Sequence, residues 1–145
     1  MIEFKIIEVG SELHRSEQRL RDEVLRRPLG RALSASDIER DKEGVHFAAV
    51  LDGEVVGCAG LYRQGDGVMR LRQMAVSPRL QRQNIGARLL SFAENWARDN
   101  AASRIETHAR LVARGFYERC GYEAYGDVFE KISVPHIKMR KPLKS

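Results

Sequence analysis

The stretch whose reading decides the fold is Leu71–Asn100, LRQMAVSPRLQRQNIGARLLSFAENWARDN. Met74, Ala75 and Val76 end an apolar strand, Ser77-Pro78 breaks it, and a polar loop containing Gly86 leads into a helix. Ile85, Leu89, Phe92, Ala93 and Trp96 recur at spacings of three and four, the stripe of a helix with one face against a core. The first N–H groups of such a helix lack intrahelical partners and sit at the positive end of its dipole, so a loop-to-helix entry suits phosphate. This segment is therefore expected to bind the pyrophosphate of a nucleotide-like cofactor.

Upstream, Phe4 to Val9 reads as a strand ended by Gly10-Ser11. Ser11 to Arg27 reads as a helix with Leu13, Leu20 and Val24 on one face, stopped by Pro28. Leu29 to Gly44 is the least patterned part, a loop with a turn of helix near Ser36-Asp37-Ile38. Loops of that length are often functional, so both a substrate-binding loop and a plain connector fit. Its Asp37, Glu39, Asp41 and Glu43 suit either a cationic acceptor or a solvated acidic surface. Val45 to Leu51 and Glu54 to Tyr62 flank Asp52-Gly53, a strong two-residue hairpin signal. Gly65-Asp66-Gly67 turns the chain again and Val68 to Val76 returns antiparallel.

Downstream, Arg104 to His108 reads as a strand and Leu111 to Cys120 as an amphipathic helix closed by Gly121. Tyr122 to Ala124, Val128 to Ser133 and His136 to Arg140 complete the sheet, with Pro135 at an expected kink or edge. The order is β-α-loop-β-β-β-α-β-α-β-β. It predicts an α/β fold of the layered α+β kind, with a mixed, mostly antiparallel sheet of about seven strands and helices on both faces. Residues 1–145 are expected to form a single domain.

No apolar run approaches the roughly 18–20 residues of a membrane span. MIEFKIIEVG lacks the layout of a signal peptide. Cys58 and Cys120 have no metal-ligand spacing and are too few for a disulfide framework, so a reduced, cytoplasmic protein without a bound metal is expected, as monomer or homodimer. The formal net charge of +5 suits nucleic acid, a polyphosphate cofactor or a solvated basic surface. The arginines Arg19, Arg21, Arg26, Arg27 and Arg31 lack aromatic interleaving, so no nucleic-acid partner is expected.

Gln81-Arg82-Gln83-Asn84-Ile85-Gly86-Ala87 between strand and helix, followed by Phe116-Tyr117-Glu118-Arg119-Cys120-Gly121-Tyr122, resembles the GNAT family of N-acetyltransferases. The terminal Pro135-His136-Ile137-Lys138-Met139 is similar to its small bacterial ElaA-type branch. The family's loop runs Gln/Arg, two residues, Gly, one residue, Gly/Ala, and in one register Asn84 stands where the first glycine would be. Asn is among the few non-glycine residues that tolerate positive φ, and Gly86 is expected to let the backbone approach a pyrophosphate.

The resemblance implies acetyl-coenzyme A lying where two strands splay apart, those ending at Val76 and His108. Gln81, Arg82, Gln83, Asn84, Ile85, Gly86 and Ala87 would hold the pyrophosphate; Met74, Ala75 and Val76 would pair with the pantetheine. The N–H of Ala75 or Val76 would polarise the thioester carbonyl. The amine of a small-molecule or protein acceptor would attack directly, and Tyr117 would protonate the departing thiolate. The base is open between His108, His136 and a water chain. His14 and His46 carry no signal, and Phe116 and Tyr122 read as core. A coenzyme A-binding regulatory protein without the chemistry is the rival reading.

Overall fold

The computed structural model describes residues 1–144, with Gln81 and Arg82 by their backbone alone. Seven strands form one sheet: β1 (Glu3–Ile7), β2 (Val45–Leu51), β3 (Glu54–Gly65), β4 (Val68–Val76), β5 (Arg104–Arg110), β6 (Glu123–Lys131) and β7 (Val134–Pro142). Their spatial order is β1-β2-β3-β4-β5-β7-β6. All neighbours are antiparallel except β4 and β5. That pair is joined through helix α3 (Ile85–Asp99), the kind of long crossover a parallel pair requires.

Side chains alternate between the faces with the two-residue period of a strand. Phe47, Ala59, Leu61, Met69 and Leu71 pack with Leu89, Leu90, Ala93 and Ala97 of α3. Ala48, Val50, Val55, Cys58 and Ala75 pack on the opposite face with Leu20 of α1 (Glu12–Arg21), alongside Leu13 and Val24. Each such leucine, fully buried, contributes about 1.5–3 kcal/mol. The expected mixed sheet with helices on both faces is what forms. Among the described residues no helix is long and apolar enough to cross a membrane.

Asp52 and Gly53 turn the β2–β3 hairpin at φ 50° and 79°, the paired positive values of a type I′ turn. The last hairpin differs from the sequence reading. β6 is one strand, bulged between Tyr125 and Phe129, and Ile132-Ser133 is its turn rather than its end. Both take positive φ, 48° and 60°. A β-branched residue rarely sits there, so no turn signal was legible. β7 lies between β5 and β6, so Pro135 is not on an edge strand. It falls one residue beyond the last β5 pairing, Arg110 with His136.

The first helix is shorter than its pattern. α1 is capped by Ser11, whose Oγ accepts from the His14 N–H at 3.2 Å. It passes into a π-turn over Asp22–Arg26 and a 3₁₀ turn over Arg27–Leu29. The segment read as loop holds α2 (Ala35–Arg40), started by a capping box of Ser34 and Asp37. α4 (Arg114–Arg119) ends as expected at Gly121, φ 94°. The bonds Tyr122 N–H to Tyr117 O at 2.9 Å and Gly121 N–H to Glu118 O at 3.0 Å form a Schellman motif.

Candidate active site

β4 and β5 pair over only four residues, from Val68–Arg104 to Leu71–Thr107. Beyond that point β4 stays with β3 and β5 with β7. The β3–β4 register shifts between the Gly60–Arg72 and Cys58–Ala75 pairs, and Gln73 takes φ 61° inside the shift. This bulge bends β4 away. Thr107 Oγ1 donates to the Leu71 carbonyl at 2.9 Å where the two strands part. The β5-facing edge of residues 72–76 is thus left without a partner strand. Ser77 N–H donates to Val56 O on β3 at 2.8 Å. Backbone direction alternates along a strand, so the Val76 N–H faces the opening. Of the two candidate donors the sequence offered, Ala75 points its N–H back toward β3 and Val76 into the gap.

Tyr117 is brought to the floor of the opening by α4. It is 5% exposed, and burial raises its phenol well above the ordinary value, against a smaller opposing influence of Thr107. Phe116 and Tyr122 flank its ring at centroid distances of 5.1 and 5.6 Å. Tyr122 donates to Glu94 of α3 at 2.9 Å, and Lys141 of β7 donates to the same carboxylate at 3.0 Å and to the Cys120 carbonyl at 2.9 Å. This network clamps α4 against α3 and the sheet. Sequence reasoning passed over Glu94, which lies within the helical stripe as one charge among apolar neighbours.

Asn84 has φ 61° and ψ 23° and starts α3 from the left-handed region after a 3₁₀ turn over Pro78–Gln83. The helix has no side-chain cap and no acidic residue in its first turn, which leaves its leading N–H groups available to an anion. Gly86 differs from expectation. A Cβ there would meet the Phe116 ring at 3.2 Å and Val76 Cγ2 at 3.5 Å. A side chain there would press on Phe116 of α4, so glycine lets α3 pack closely on α4 and β4, and Gly86 itself is buried. Ile85 is wholly buried, while Gln83 and Asn84 are exposed and Ala87 is half-buried. The side chains of Gln81 and Arg82 lie outside the described atoms. Arg88 turns away, its guanidinium 4.9 Å from the centre of the Phe4 ring.

The two histidines proposed as base differ in their usable nitrogen. Arg70 donates to His108 Nδ1 at 2.6 Å. An arginine can only donate, so Nε2 carries the proton and the ring has no free lone pair. Burial and then the Arg70 charge push its pKa down to about 4. His108 is therefore in the cavity but unsuited to take a proton at neutral pH. His136 Nδ1 lies 2.8 Å from the Val134 carbonyl, an acceptor, so Nδ1 holds the hydrogen and Nε2 the lone pair. Both rings, with Met74, Thr107 and Tyr117, line one cavity of about 330 Å³. Among the described residues, Ala75, Val76 and Gln83 to Ala87 do not.

A model of the acetyltransferase (GNAT) family matches residues 10–122. The chain belongs to this family. The uncharacterized N-acetyltransferase YjcF of Bacillus subtilis is 30% identical over 104 residues, covering 71% of this chain and 74% of that one. A Lactobacillus plantarum protein of known structure superposes with TM-score 0.84 at 26% identity, covering 97% of this chain and 99% of that chain. Escherichia coli ElaA superposes with TM-score 0.82 at 21% identity, covering 97% and 99%. Membership of this family makes the protein an acyl-CoA-dependent acetyltransferase.

Three of the four carboxylates in the acidic segment before β2 are taken up within the chain. Asp41 is fully buried and accepts from Arg21 Nη1 and His14 Nε2, each at 2.7 Å. Asp37 accepts from the Ser34 N–H at 3.0 Å and pairs with Arg26 at 3.6 Å, and Glu39 pairs with Lys42 at 3.1 Å. His14, Glu17 and Asp41 stand close enough to share a metal ion. Arg21 already serves as their cation, bonding Glu17 Oε1 at 2.9 Å as well as Asp41. His14 and His46, which carried no sequence signal, are both 1% exposed within this cluster.

Proposed function

We propose that the protein transfers the acetyl group of acetyl-coenzyme A to a primary amine by direct attack in a ternary complex. The observation that carries this reading is the end of β4–β5 pairing at Leu71 and Thr107, with the protonated Tyr117 phenol beneath the gap. In this reading the pantetheine adds along the unpaired edge at Met74, Ala75 and Val76, as a peptide adds to a sheet edge. The Gln81–Ala87 loop and the uncapped start of α3 take the pyrophosphate.

The Val76 N–H polarises the thioester carbonyl, which can contribute several kcal/mol to the transition state. His136 Nε2 removes the amine proton and Tyr117 returns one to the leaving sulfur. Burial raises the phenol's pKa, and the same desolvation strengthens the thiolate as a base, so acid and leaving group stay matched. A solved relative in fold, an aminoglycoside 6'-N-acetyltransferase, holds coenzyme A, which supports the donor.

The test joins ligand binding to chemistry. Saturating acetyl-coenzyme A should stabilise the protein by about 2.7 kcal/mol at 100 times its dissociation constant, and an amine panel should release free thiol. Tyr117→Phe should lower kcat by about 10²-fold or more with unchanged cofactor affinity. Stabilisation without thiol release from any amine would instead favour a coenzyme A-binding protein without the chemistry.

A further inference from the structure

The charge of this protein is concentrated in one place. The cavity beside Tyr117 is walled by Arg26, Arg40, Arg70, Arg72, Arg110 and Lys131, against a single carboxylate, Asp37. The chain has 25 Lys and Arg and 20 Asp and Glu. Setting aside those six cations and one anion leaves nineteen of each, so the lining accounts for the whole excess of +5.

Five of these six cations are also unanswered. Asp37 is taken up by Arg26 and the Ser34 N–H. Among the described residues no carboxylate oxygen lies within 4.0 Å of Arg40, Arg70, Arg72, Arg110 or Lys131. Their partners are neutral: His108 for Arg70 at 2.6 Å, the Tyr62 ring for Arg72 at 5.7 Å from its centroid, and the Leu25 carbonyl for Arg110 at 3.0 Å. Burial lowers Arg70 and Arg72 first, followed by Arg72 and Arg40 for the one and Arg40 for the other, despite Glu106 near Arg70 and Glu43 and Asp37 near Arg72. Burial first, and then Arg70, Arg72, Arg40 and Arg26, push Lys131 down to about 8. Like charges gathered in a half-buried cavity destabilise the fold unless something binds there.

The proposed phosphate loop lies apart from this cavity: among the described residues none between Ser77 and Asn100 lines it. The cavity is bounded instead by the π-turn, α2 and the β6–β7 turn, where Ile132 holds its unfavourable φ of 48°. We infer that the acceptor is a small primary amine bearing two or more acid groups, carboxylate or phosphate, which Arg40, Arg70, Arg72 and Lys131 hold with the amino group toward Tyr117. This rests on the transferase reading above and names its substrate class. Polycationic amines are excluded by the same field.

Thiol release from acetyl-coenzyme A tests it with matched amines. Aspartate and glutamate form the carboxylate arm, O-phosphoserine and O-phosphothreonine the phosphate arm. Serinamide, glucosamine and spermidine are the neutral and cationic controls. At least one diacidic amine should exceed its controls by about 10²-fold in kcat/KM, the worth of one or two charge-assisted hydrogen bonds, and the better arm identifies the acid group. Arg72→Gln and, separately, Lys131→Gln should each raise KM for that amine by about tenfold with kcat little changed. Equal or faster turnover of glucosamine or spermidine overturns the acceptor class while leaving the transferase intact. If no amine turns over, titration calorimetry of O-phosphoserine and glutamate into acetyl-coenzyme A-loaded protein decides. Binding that the Arg72→Gln, Lys131→Gln double variant loses supports the inference, and no binding overturns it.

Discussion

Two regions of this molecule use the same residue types to opposite ends. Under α1, Arg21 stands between Glu17 and Asp41, with His14 and His46 against the same carboxylates, all at most 1% exposed. A short distance along the sheet, Arg70 stands against His108 with no carboxylate to answer it. The histidines record the difference. Burial lowers both, but Glu17 and the Asp41 carbonyl carry His46 above its usual value, whereas Arg70 drives His108 to about 4. Charges answered within the chain hold architecture together, here tying α1, the segment after α2 and β2. Charges left unanswered in a cavity are waiting for a ligand. The chain's net charge says nothing of this division, because the cluster sums to little and the cavity to everything.

The sharpest way to break the comparison is Asp41→Ala. It leaves Arg21 in the core with Glu17 as its remaining carboxylate partner, where Arg21 Nε and Nη2 already lack hydrogen-bond partners. Removing one partner of a buried pair costs about 3–5 kcal/mol, which urea unfolding would show as a lower midpoint at unchanged slope. Lys131→Gln, removing a cation from the cavity, should raise that midpoint or leave it alone. A loss comparable to Asp41→Ala would mean that the cavity cations are structural too. Next in size comes Gly86→Ala, a control outside both regions. Its Cβ would press on Phe116 at 3.2 Å, and overpacking of this kind costs about 1–3 kcal/mol. Because Phe116 adjoins Tyr117, turnover should fall with stability. A variant of full stability and turnover but weakened coenzyme binding would restore Gly86 to the phosphate loop.

Local signals in the chain were legible and long-range pairings were not. Asp52-Gly53, the α3 stripe and the Gly121 cap each rest on residues a few positions apart, and all three form as read. Asn84 takes the left-handed turn for the reason its side chain allows. By contrast, Asp41 meets Arg21 and His14 across 20 and 27 residues, so four carboxylates in one segment looked like a solvated or cation-binding face. α2 has six residues, too few to show a helical period against its surroundings. The roles of His108 and His136 turn on which ring nitrogen is engaged, a matter of one neighbour in space. Gly86 was read as making room for a phosphate, and the side chain its missing Cβ makes room for is that of Phe116, thirty residues on.

The smallest effect separates the two regions by the sign of a pH slope. His46 has a raised pKa when folded, so the stability it contributes is complete below about 6.5 and declines as pH rises through the folded value. Lys131 is the reverse case. Its folded pKa of about 8 lies below the 10.5 of a free lysine, so the folded state is penalised by its charge below 8 and recovers between 8 and 10.5 as the folded form gives up the proton first. Unfolding free energies should therefore fall with pH above 6.5 on account of the cluster and rise above 8 on account of the cavity. Tyrosines and cysteines also titrate in the upper range, so the informative quantity is the difference between wild type and variant. His46→Gln should remove the fall and keep the rise; Lys131→Gln should keep the fall and remove the rise. If Lys131→Gln leaves the upper slope unchanged, the cavity cations do not act on one another. A bound diacidic amine should flatten that same slope in the wild type, because its acid groups supply the counter-charge that the fold withholds.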